Sequence, residues 1–291
     1  MDAKQTLDFY TPEQRMGLIC QRGGQELALT KSIDRFTVCF DDSSTNVGMV
    51  LPIKEQKSIL GSSLQELQVN PIHLAPAMQE IRQQSNVKFV SHVYFFEASP
   101  HNPVYLTDEI MVQYQSEEEE RRGWENDHGL ELLKPILEIP HTYIYRVGES
   151  ATQNPLKIVN QLKAHAGILR AEVNIIAERR TFSLGGDALS IEDWYHNALP
   201  EAGEGDQAHI HLRDAWQMTK GDSKVALAIA DLSFSYQGAT NLLGEVAVGS
   251  LTGVAPECEL VPLPSPQYFD DGAIEEFFDL ATAREASVIF M

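Results

Sequence analysis

Asp231 is the residue best placed for chemistry. It follows the unbroken apolar run Val225-Ala226-Leu227-Ala228-Ile229-Ala230, which reads as a buried strand. In open parallel sheets, ligands and reacting groups gather outside the carboxyl ends of the strands, where Asp231 would sit. Ser233 and Ser235 lie just beyond it, but no His occurs after His211. A hydroxyl without an adjacent base is a poor nucleophile, so a Ser/Asp pair here reads first as a strand-end hydrogen bond. His209 and His211 alternate on an extended stretch as a metal pair would, yet no third ligand stands at suitable spacing. Cys20, Cys39 and Cys258 show no metal spacing and no disulfide framework, and read as small buried apolar residues. No cofactor and no metal are expected.

The elements that must position Asp231 come from an ordinary globular composition. The 291 residues are 43% hydrophobic and 22% charged, enough for two or three domains with cores of their own. No apolar run is long enough to span a bilayer, and the first residues lack a signal-peptide pattern. A cytoplasmic protein without a membrane partner is expected. A net charge of −20 argues against nucleic acid, whose phosphates must be met by Lys and Arg. The charge is uneven: residues 183–291 hold eighteen acidic against four basic side chains, so −14 of the charge lies there. Either that surface is simply well solvated, or it meets a basic partner.

Four segments follow from the patterning. Residues 1–104 form an N-terminal α+β domain. Polar and apolar residues alternate at 26–29 and 34–40, helices are expected at 63–68 and 76–85, and strand character returns at 87–90 and 92–96. Residues 105–182 repeat the alternation. A strand at 110–114 precedes an acidic helix start at 116–120, where the carboxylates suit the helix dipole. A strand at 143–147 follows. A helix then opens at Pro155 with Ile158, Val159, Leu162 and Ala166 facing the core, and ends at Gly167. A last strand runs over 169–176. With one further strand in the 130s, this is the β-α-β-β-α-β order of the ferredoxin-like motif. Residues 183–208 read as a linker. Residues 209–291 read as helix, buried strand, loop, buried strand, helix and strand, the alternation of a parallel α/β sheet. Ile274, Phe277, Phe278 and Ala281 share one face of the helix expected over 272–284.

Residues 209–291 resemble the N-terminal third of a subtilisin-like serine protease domain, the subtilase family. Ala215-Trp216 with Thr219-Lys220-Gly221 is similar to that family's first helix and turn, and residues 225–231 to the strand presenting the triad Asp. Thr252-Gly253-Val254-Ala255-Pro256 and residues 257–261 resemble its Gly-Val-Ala-Pro loop and next strand, and residues 286–289 the strand after that. Asn154-Pro155 with residues 167–174 resembles the end of a subtilase propeptide, and residues 193–196 the stretch just inside the mature enzyme. The resemblance implies an α/β fold, a subtilase-like parallel sheet in shortened form, preceded by ferredoxin-like propeptide modules. Residues 1–104 suggest a second such module.

The departures bear on activity. Subtilase chemistry needs a Ser nucleophile, a His base and an Asp to orient it. Where the His should open its helix the chain reads Asn241-Leu242-Leu243-Gly244-Glu245-Val246-Ala247, and position 242 or 243 is Leu. The family's Asp-Thr/Ser-Gly becomes Asp231-Leu232-Ser233, and the Ser and oxyanion-hole Asn positions lie beyond residue 291. The expectation is a catalytically inactive pseudoprotease in which Asp231 is a vestigial triad residue and the protein binds or regulates. It would meet a protein partner across the shortened sheet edge, either an active subtilase or a second copy in a homodimer. Two alternatives stand. One is half of a split serine endopeptidase completed by another chain. The other is a propeptide-type inhibitor of a subtilase acting in trans, for which Arg179-Arg180 would be the product-like tail.

Overall fold

A computed structural model describes residues 11–41, 53–120, 123–137, 139–148, 151, 153–178, 212–231 and 254–290. The chain divides into two compact units: residues 1–178 with 268–271, and residues 179–267 with 272–291. The molecule is mixed α/β.

In the first unit, helix α1 (Pro12–Met16) leads through β1 (Ile19–Arg22) into β2 (Gln25–Phe40). Next come β3 (Glu55–Ser58), β4 (Leu64–Gln68), a 3-10 turn (Pro71–His73), α2 (Leu74–Arg82) and β5 (Val87–Phe96). The chain continues as β6 (Ser99–Tyr114), α3 (Glu117–Glu120), α4 (Trp124–His128), β7 (Leu130–Pro135), β8 (Thr142–Val147), α5 (Pro155–Lys163) and β9 (Ile168–Glu178).

These strands form one large sheet in which every described pairing is antiparallel. Within it the runs β5-β2-β4-β3 and β9-β6-β8-β7 are joined where β5 pairs with β6. In each run the first and last strands in sequence are neighbours, with a hairpin strand on the other side of the first. An Asn-Pro pair opens the helical segment before each last strand. Asn70 and Asn154 cap the turns opened by Pro71 and Pro155, their side chains accepting from Ile72 N (3.3 Å) and Lys157 N (2.9 Å). Both long strands also bend at a hydroxyl. Ser32 Oγ accepts from Arg35 N (3.0 Å) at the β2 bulge, and Thr107 Oγ1 accepts from Glu109 N (3.1 Å) at the β6 bulge.

Core packing follows the period-two alternation of the strands. Phe36, Val38 and Phe40 pack with Leu74, Ala77, Met78 and Ile81 of α2. Leu29, Tyr94, Leu106 and Ile110 pack with Leu156, Val159 and Leu162 of α5. A separate cluster holds Cys39, Val93, Tyr105, Ile176 and Tyr268.

The second unit contains α6 (Leu212–Met218), β10 (Ala226–Asp231), β11 (Glu259–Pro264), most of α7 (Asp271–Ala283) and β13 (Val288–Phe290). The short strand β12 (Tyr268–Phe269) belongs to the first unit and pairs with β9. β10 is flanked in parallel by β11 and β13. Ala226, Ala228 and Ala230 pack with Phe277 and Ala281 of α7. The small side chains leave room for the helix to lie close to the strand.

Several expectations are corrected. The parallel sheet describes only β10, β11 and β13, while the dominant sheet is antiparallel. The helix expected at 63–68 is strand β4, buried at Leu64, Gln65, Glu66 and Leu67 because it lies between β2 and β3. Residue 104 lies inside β6, which the tight β5–β6 hairpin joins to the preceding strands. α2 begins at Leu74 rather than Pro76 and ends at Arg82. α5 ends at Lys163, so Ala166 is exposed beyond it rather than facing the core. Phe278 is 46% exposed, leaving Phe277 and Ala281 as the buried contacts of α7.

Candidate functional site

β10 carries the candidate residue. Its backbone is registered against β11 from Ala226↔Glu259 to Asp231↔Pro264, so Asp231 ends the central strand of a parallel trio. β13 flanks the middle of β10 in parallel as far as Ile229↔Phe290, and β11 runs beside it to its carboxyl end at Asp231. That is the position at which open parallel sheets collect function.

Two segments singled out in the sequence meet at the other end of this strand. The turn after α6 packs against the loop before β11. Trp216 Nε1–H donates to Val254 O at 3.0 Å, and Glu257 N–H donates to Lys220 O at 3.0 Å. The Lys220 ammonium lies 5.7 Å from the centre of the Trp216 ring, within cation–π range. Gly221 has φ +107°, and a Cβ there would come 2.6 Å from Cys258 Sγ and 3.0 Å from Cys258 N. Only glycine fits both the backbone conformation and the space. The contact fixes where β10 and β11 start and therefore the register that ends at Asp231.

Other candidates lie outside the described residues: Arg179, Arg180, His209, His211, Ser233, Ser235, and the Asn241–Gly249 stretch with Leu242 and Leu243. Cys20 and Cys39 are buried in the first unit, and burial pushes the Cys20 thiol up to about 11. Cys258 is half-buried and free. Among the described residues no group of three His, Cys, Asp or Glu side chains could hold a metal, and no helix is long and apolar enough to cross a membrane.

The first unit holds a polar network that sequence reasoning missed. Tyr114 OH donates to Tyr145 OH (3.0 Å), which donates to Glu125 Oε1 (3.1 Å). Tyr143 OH donates to Glu120 Oε2 (3.1 Å), and His141 Nδ1 bonds Glu120 Oε1. Desolvation, ahead of the neighbouring carboxylates, pushes the Tyr114 hydroxyl up to about 12 and the Tyr145 hydroxyl higher still. Such phenols stay protonated and act as hydrogen-bond donors. The available signal was the Tyr143-Ile144-Tyr145 alternation on β8 with four successive glutamates upstream.

Set beside known proteins, the chain matches no family model, and no curated protein matches it.

Proposed function

We propose that this chain is a catalytically silent relative of the subtilisin-like proteases that works by binding a protein partner. The observation that carries the reading is the parallel β11-β10-β13 trio with Asp231 closing its central strand. The packing of the Thr219-Lys220-Gly221 turn on the Val254-Ala255-Pro256 loop supports it, because two motifs matched separately in sequence lie in contact. Silence is argued from residue types: the segment aligned with the base helix offers Leu242 or Leu243 in place of His. An Asp cannot take the proton of a distant hydroxyl for a His that is not there.

A second reading has its own support. The β9-β6-β8-β7 order, with α5 before β9, is that of the ferredoxin-like motif, and β9 ends at Glu178 immediately before Arg179-Arg180. On this reading the first unit is a propeptide-type module, and the partner is a subtilisin-type protease restrained by strand pairing and an inserted tail.

The test is fluorophosphonate labelling of the purified chain, alongside a peptide-amide hydrolysis assay. No label and no turnover are expected. A labelled serine, with turnover abolished by Asp231→Asn, would overturn the proposal.

A further inference from the structure

β7 is an edge strand that the first unit leaves open. Among the described strands it pairs with β8 alone, and every residue of it after Leu130 is exposed. Leu132 and Leu133 at its centre are 55% and 37% exposed, and Leu137 and Ile139 just beyond it are exposed as well. An apolar edge strand open to solvent is a template for a further strand, and folded proteins cover such an edge or arm it with charge. Here one Glu and one Lys flank the two leucines symmetrically, in the run Glu131-Leu132-Leu133-Lys134.

The ladder with β8 fixes which way the two charges face. Glu131 stands opposite Arg146 and Lys134 opposite Ile144, with a bulge between Leu132 and Lys134. Ile144 and Arg146 alternate with Tyr145 and share one face of the sheet, so Glu131 and Lys134 share that face with them. Without the extra residue of the bulge, positions three apart would face opposite sides. A twofold axis perpendicular to the sheet keeps each face on its own side, so only residues of one face can meet across it. The bulge therefore permits an antiparallel register of β7 against itself. Glu131 then lies opposite the second copy's Lys134, Lys134 opposite the second copy's Glu131, and the leucines of both copies meet at the axis. Glu131 also lacks a cation of its own. Its neighbour Arg146 is turned to Asp108 on β6, Nε to Oδ2 at 3.5 Å, and Glu131 makes no ion pair among the described residues.

We propose that two copies of this chain associate antiparallel along β7, with two Glu131–Lys134 ion pairs flanking a leucine contact on the twofold axis. Where the two bulges meet, side chains rather than ladder hydrogen bonds make the contact. Opposite charges across an antiparallel pair attract and like charges repel, so the same residues fix the register and disfavour others. A strand that complements this edge must carry Glu, two apolar residues and Lys in that order, which is the sequence of β7 itself. The inference does not rest on the proposed relationship to proteases.

The experiment is sedimentation equilibrium of the full chain at physiological ionic strength across the micromolar range. A saturable monomer–dimer equilibrium is expected. Glu131→Lys and Lys134→Glu each turn two attractive pairs into two repulsive ones, so each variant alone should dimerise about tenfold or more weakly. An equimolar mixture of the two variants sets opposite charges against each other at both positions and should recover the affinity of the unaltered chain. An unaltered chain that stays monomeric throughout the range overturns the proposal, whether or not the variants fold. Variants that dimerise as tightly as the unaltered chain overturn it too, and so does a mixture no tighter than either variant alone.

Discussion

Gly221→Ala is the sharpest perturbation of the strand that carries Asp231. Two costs add at this position. A side chain at φ +107° meets backbone sterics worth about 1–2 kcal/mol. Insertion of a methyl 2.6 Å from Cys258 Sγ and 3.0 Å from Cys258 N forces displacement worth about 1–3 kcal/mol. The combined loss of about 2–5 kcal/mol is a large share of the stability of a small domain. The assay is native-state hydrogen exchange on peptides covering β10 and β11, with peptides from β5 and β6 as internal reference. Since 1.4 kcal/mol is a factor of ten, protection of β10 should fall by about thirtyfold or more, while the reference peptides hold. Adding Cys258→Ala removes the sulfur but neither the backbone nitrogen nor the φ penalty, so protection should recover only in part. Exchange of β10 within about twofold of the unaltered chain would refute the reasoning. Full rescue by Cys258→Ala would show that the backbone conformation carries no cost.

Three further outcomes are expected. Asn160 ties α5 to the chain's start: its Nδ2 reaches Met16 O, Ile19 O and Leu156 O at 2.8–2.9 Å, and its Oδ1 accepts from Gln21 Nε2 at 2.9 Å. Asn160→Leu strands those groups and should cost about 1–3 kcal/mol, read as a lower denaturation midpoint with an unchanged slope. His92 is held neutral when folded, its pKa pushed down by burial from the ordinary 6.5 to about 4, so the unfolded chain binds more protons between those values. Its contribution is complete above pH 6.5 and is lost as pH falls toward 4, and His92→Gln should flatten that part of the stability profile, followed by chemical denaturation. Tyr145→Phe leaves Tyr114 OH and Glu125 Oε1 without their shared hydroxyl and should cost about 1–3 kcal/mol by the same measurement.

The parts legible in the sequence were those where local chemistry and burial agree. Asn154-Pro155 followed by Ile158, Val159 and Leu162 states a capped helix with one apolar face, and α5 buries those residues. The run at 225–230 states a strand with both faces covered, and β10 is one. Failures came where tertiary pairing decides. Leu64 and Leu67 stand three apart, which reads as a helical face, yet the segment is clamped between two strands and buries Glu66 beside Arg35 at 3.5 Å. Residues 99–103, which carry two prolines and lie between the strands expected at 92–96 and 110–114, form the start of β6, with Pro103 opposite Phe95. Residues 30–33 look like a break between two strands and are a bulge in one. That β10 ends at Asp231 was legible from the run before it. The shared face of Glu131 and Lys134 was not, because it depends on a bulge that only pairing with β8 defines.

The proposed reading is that this chain binds a protein partner, an active subtilisin-type protease first among them, and does not itself cut. The most direct measurement is peptide-amide hydrolysis by an active subtilisin-type endopeptidase, titrated with the intact chain and read beside the chain alone. The account predicts no hydrolysis by the chain and a saturable fall in the protease's rate, weakened when Arg179 and Arg180 are neutralised. Hydrolysis by the chain itself, or a protease rate that stays level to saturating chain, would contradict it.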